Sequence, residues 1–135
     1  MSELLRNDRL VEFAFKALDH GVGSIEHGGP LIPFALTEGP DGIGLQRFVA
    51  DDFRDAVDQA RGAFGDADGI ERGALAYEAY ITLEGERSDA VIVEFYERGD
   101  EHCGVFAQRF RPGSPAHPLE PIGNPAFIGE QAPLF

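Results

Sequence analysis

The sequence predicts an α+β domain: a five-stranded antiparallel sheet with two helices, followed by an extended Pro-rich C-terminal tail. Three observations carry that prediction. Apolar residues recur at helical spacing near the N-terminus and again after Ala50. Five β-prone runs follow one another across short loops rich in Gly, Asp and Pro, in the overall order α-β-β-α-β-β-β. From Pro112 onward, six of the nine prolines appear and periodicity ends. Residues 1–111 are therefore expected to form one domain, and 112–135 a tail lying on that domain or on a partner subunit. With 135 residues, 43% of them apolar, and eleven phenylalanines, the chain has material for one core rather than two.

SELLRNDRLVEFAFKALDHG is the first helix. Ser2 caps it, Leu4, Val11, Phe15 and Leu18 form its stripe with Leu10, Ala14 and Ala17 beside them, and Gly21 stops it. GVGSIEHGGP, with four glycines in ten residues, reads as a loop. Two strands, PLIPFALTEG and IGLQRFVA, flank a GPDG turn. Pro33 has no N–H for a ladder, so the first strand should lie at an edge or start late. DDFRDAVDQARGAFG is the second helix, capped by Asp51 or Asp52 and striped by Phe53, Val57, Ala60 and Phe64. After the DADGIERG loop, ALAYEAYITLE, SDAVIVEFYE and GVFAQRFR form an antiparallel meander. This order of elements is similar to that of roadblock-type, profilin-like domains without their closing helix. The likeness is one of element order, with no residue motif, and implies no function.

A formal charge of −13 repels phosphate backbones and anionic lipid, so neither nucleic acid nor membrane is an expected partner. A basic protein is compatible with it. The single Cys103 excludes an internal disulfide and fits a reducing compartment. Charged residues occupy the place where a signal peptide needs its apolar stretch, which makes a cytoplasmic protein the expectation. Lys16 is the only lysine against ten arginines, a bias in keeping with a GC-rich bacterial genome.

Residues 85–100, GERSDAVIVEFYERGD, hold five acids: Glu86, Asp89, Glu94, Glu97 and Asp100. Strand alternation sorts them. Tyr77, Ala79, Ile81 and Leu83 share one face of their strand; Glu78, Tyr80, Thr82 and Glu84 share the other. A three-residue loop, Gly85 to Arg87, would set Glu84 against Ser88, Ile81 against Val91, Tyr80 against Ile92 and Glu78 against Glu94. Two opposed carboxylates suit acid–base chemistry if one pKa is raised, or a charge set if Arg109 or Arg111 of the next strand compensates them. Glu86 and Asp100 belong to turns, and Asp89 and Glu97 to strand ends.

The remaining motifs are weak. His102 adjoins Cys103, but His20, His27 and His117 sit elsewhere in the sequence and no second ligand cluster exists, so no metal or cofactor is expected. Cys103 lacks an evident base. GVGSIEHGG follows a helix, whereas a dinucleotide loop follows a strand. The expected protein is thus a small non-catalytic binding or protein-interaction domain, homodimeric through its tail. Its expected ligand or partner surface is Glu78, Tyr80, Ile92, Glu94, Tyr96 and Arg109. The alternative is a small-substrate enzyme with Glu78 and Glu94 as acid and base.

Overall fold

The computed structural model describes residues 3–26, 30–65 and 69–135. A 3-10 turn, Glu3–Arg6, leads into helix α1, Asp8–Glu26. Asn7 caps α1, its Oδ1 accepting from the Leu10 amide at 3.2 Å. The expected cap, Ser2, lies outside the described residues. Gly21 does not end the helix. It is buried against the sheet, where a Cβ would come 3.1 Å from Val91 Cγ1, so glycine brings two backbones close. Ile25, one turn on, enters the same core. The expected loop is therefore helical as far as Glu26, and its residues 27–29, His27 included, lie outside the described set.

Strands β1, Phe34–Gly39, and β2, Gly42–Arg47, form a hairpin around Pro40 and Asp41. β1 starts immediately after Pro33, as expected, yet it is an interior strand between β2 and β3. Helix α2, Phe53–Ala63, is capped by Asp52, whose Oδ1 accepts from the Arg54 amide at 2.7 Å. The DADGIERG loop is described only outside residues 66–68. Strands β3, Arg72–Leu83, β4, Glu86–Glu97, and β5, Cys103–Arg111, make the expected antiparallel meander.

The expected count of five strands is too low. The tail contributes β6, Glu120–Pro121, and β7, Ala126–Gln131, both antiparallel to β5 of the same chain. The sheet runs β2-β1-β3-β4-β5-β6, with β7 also on β5. β7 is a proline-free stretch of the tail, so every residue in it keeps an N–H for a longer ladder than the two-residue β6, which contains Pro121. A register shift between Val105 and Phe106 accommodates it. The tail then ends with Leu134 and Phe135 in the core beneath α2.

Each helix covers one face. Leu10, Phe13, Ala17 and Leu18 of α1 pack on Phe34, Val91, Phe95 and Phe106. Val57 and Ala60 of α2, with Phe64 at its C-terminal cap, pack on Ala35, Leu75 and Tyr96 across the other face. Farther along that second face, Ala90, Ile92, Val105 and Ala107 form a smaller cluster on the curled sheet. Among the described residues, no helix is long and apolar enough to cross a membrane.

The β3–β4 register differs from expectation by three residues. Leu83 pairs with Glu86, Tyr80 with Asp89, Tyr77 with Ile92 and Leu75 with Glu94. The turn is two residues, Glu84 and Gly85, both left-handed at φ 53° and 80°, which matches the twist of a tight hairpin. An odd shift transposes one strand's faces relative to the other. Alternation could not detect it, because β4 is buried on both faces and reads as apolar on each.

Candidate functional site

The expected carboxylate pair does not form. Glu78 stands opposite Val91 and Glu94 opposite Leu75, which places them on opposite faces of the sheet. Glu94 is on the α2 side and only 1% exposed. Arg61 of α2 grips both of its oxygens, its Nη1 on Oε1 and its Nη2 on Oε2, the latter at 2.9 Å. The Tyr77 hydroxyl donates to Oε2 at 2.6 Å. The bidentate pair raises the Arg61 pKa, and burial followed by the Glu94 hydrogen bond raises that of Tyr77. Glu94 is therefore anchored, with three charge-assisted donors already in place. Arg109, expected as its partner, shares that face one strand over but lies opposite Ala90.

The other expected residues do not converge on one surface. Ile92 and Tyr96 are buried, and the Tyr96 hydroxyl donates to the Asp100 carbonyl at 2.7 Å. Glu78 and Tyr80 point to the α1 side, near the hairpin end, where Tyr80 is 64% exposed. Arg111 reaches no carboxylate of the expected pair; it meets Glu120 at 3.4 Å.

Sequence reasoning missed a second ionic cluster, on the α1 face. Arg72, buried at the start of β3, donates Nε to Glu38 at 2.6 Å and Nη1 to Glu97 at 2.7 Å. Burial opposes its charge, and the hydrogen bonds to Glu38 and Glu97 outweigh that and raise its pKa. The α1 cap residue joins the cluster, Asn7 Nδ2 donating to Glu97 at 2.8 Å. Both clusters tie a helix to the sheet, which is structural work.

A notch remains open at the edge of β3. β1 pairs with β3 only as far as Phe34 opposite Ala76, whereas β4 accompanies β3 to its end. Among the described residues, the half of β3 from Tyr77 onward has no strand on the β1 side. Phe53, Tyr77, Glu78, Ala79, Tyr80 and Asp89 line a notch of about 370 Å³ there. The Phe53 and Tyr77 rings meet edge-on at 6.5 Å, and Phe53, expected in the α2 stripe, is half exposed. Arg87 lies over the Tyr80 ring at 4.2 Å, a cation–π contact. Glu78 spends one contact on the Leu31 amide, at 2.6 Å. Glu78 and Asp89 also border a second cleft of about 570 Å³ beside the end of α1 and the start of the tail.

Chemistry elsewhere is muted. Cys103 is fully buried; burial and then the Glu94 charge push its thiol up to about 12, which leaves it protonated and unreactive at neutral pH. Among the described residues, no group of three His, Cys, Asp or Glu side chains could hold a metal ion. No protein-family model matches the chain, and no curated protein or solved structure does. The likeness of element order to roadblock-type domains accordingly stands without support from any solved structure.

Proposed function

We propose that this protein is a non-catalytic interaction domain that captures an extended, basic segment of a partner protein along the free edge of β3. The carrying observation is an aromatic notch, flanked by Glu78 and Asp89, on a stretch of β3 that no strand pairs on the β1 side among the described residues, with Leu31 meeting it only through the Glu78 side chain. An extended segment laid beside the outer half of β3, past Leu31, supplies a ladder there, with main-chain bonds giving affinity and alternate side chains specificity. Phe53, Tyr77 and Tyr80 offer stacking surfaces, and the two carboxylates select Arg or Lys. The charge of −13 attracts such a segment from a distance. A cytoplasmic setting agrees with the lone buried thiol.

The test is an amide-resolved NMR titration of the full chain with an Arg-Val repeat peptide and its Glu-Val counterpart. The expected result is saturable shifts along residues 77–83 and at Phe53 for the basic peptide alone. Tyr80→Ala should weaken binding about tenfold, the scale of one aromatic anchor. Equal responses to both peptides, or shifts centred elsewhere, would overturn the proposal.

A further inference from the structure

The two ends of the sheet are finished differently. The β5 edge is covered by β6 and β7 of the same chain. The opposite edge, β2, is bare among the described residues, and all six of its residues are exposed. Natural edge strands are usually protected by a proline, a bulge, an inward-facing charge or brevity. GIGLQR carries no proline and no bulge, its one charge, Arg47, sits at the strand's end beside His20 at 3.3 Å, and Ile43 and Leu45 stand 49% and 36% exposed on the α1 side.

Charge singles out the same place. The chain carries −13, yet the stretch from Pro40 to Ala50 holds one acid, Asp41, and one base, Arg47. A second copy meets less repulsion here than along most of the surface. The spacing is also self-complementary. When two β2 strands pair antiparallel about a two-fold axis at Gly44, Ile43 faces Leu45 of the other copy, twice. Just past the paired segment, Asp41 of the hairpin turn comes beside Arg47 of the other copy, twice. Gly44 meets Gly44 at the axis, where no side chain obstructs the approach.

We infer that β2 is the homodimer interface, joining two sheets into one through isologous antiparallel pairing about Gly44. The surface does not involve the β3 notch, and the tail, seated on its own β5, takes no part. A two-strand contact is small, which sets a dimer that dissociates on dilution.

Sedimentation velocity of the full chain across a concentration series tests this. The expected result is a reversible rise from the 14.7 kDa monomer to twice that mass. Arg47→Glu sets like charges opposite each other at both pairs and should weaken the dimer about tenfold. Asp41→Arg should do the same, and the double exchange Asp41→Arg/Arg47→Glu should restore it. Leu45→Lys, on an exposed position, is a second route to a folded monomer, with its fold checked by thermal melting. Mass fixed at the monomer throughout, or a dimer indifferent to these changes, would overturn the inference. Tyr80→Ala leaves the mass unchanged, so failure of the notch proposal and failure of this one are separately visible.

Discussion

The two ionic clusters are mirror images in how they meet water. On the α1 face the cation is buried: the Arg72 side chain is 6% exposed, and its acids, Glu38 and Glu97, reach solvent. On the α2 face the anion is buried: Glu94 is 1% exposed, and Arg61 is 42% exposed. A buried ion depends on its partner far more than a hydrated one does, because removal of the partner strands the charge in a poor solvent. The difference teaches which residue of each pair is indispensable. It is the exposed Arg61 in one cluster and, in the other, a pair of acids that back each other up.

Substitutions should expose that asymmetry in graded steps. Arg61→Met strands Glu94 and should destabilise the fold by about 3–5 kcal/mol in urea denaturation. A loss near zero would mean that Glu94 reaches water by another route. Arg72→Met leaves two acids that already contact solvent, so the expected loss is smaller, about 2–3 kcal/mol. A larger loss than for Arg61→Met would reverse the comparison. Tyr77→Phe deletes only the hydroxyl on Glu94 and should lower stability by about 1.5 kcal/mol, as expected for a bond to a charged group.

The gentlest probe uses pH. The Cys103 thiol has a folded pKa raised from 9.0 to about 12, and the unfolded chain sheds that proton first as pH rises. Its contribution is therefore complete below pH 9 and is lost progressively toward pH 12. Between pH 9 and 10 the stability gap between wild type and Cys103→Ala should narrow by about 1 kcal/mol. A constant gap over that range would show that the thiol does not titrate differently in the two states.

The open and closed sheet edges make a second contrast with the same lesson. The β1–β2 hairpin and the strand order of the meander were legible, because turn residues and alternation are local signals. So was the α2 cap, Asp52, placed beside an apolar stripe. The tail strands were not, since six prolines in 112–135 hide the proline-free AFIGEQ that completes the β5 edge. The length of α1 was not either, because Gly21 serves a close helix–sheet contact that resembles a stop signal in one dimension.

The site residues divide along similar lines. Tyr80 and Glu78 keep a place on an accessible surface, and Phe53, Tyr77 and Asp89 join them only through the fold. Glu94 and Tyr96 sit at mid-strand positions where their polarity suggested exposure, yet both are buried with specific partners. Arg61 lies thirty-three residues from Glu94 and no spacing rule connects them.

By itself, then, the sequence determined the class of the fold, its helices and hairpins, and a strongly acidic exterior. Those properties depend on neighbours within a few residues or on summed charge. The tertiary structure alone decided which carboxylates are buried, which strands lie at the edges and which aromatics meet in the notch. The first and the last turn on the β3–β4 register, set by a two-residue turn in which Glu84 adopts a left-handed backbone that its identity does not announce. With β4 apolar on both faces, only packing between α1 and α2 could choose the face on which Glu94 would lie.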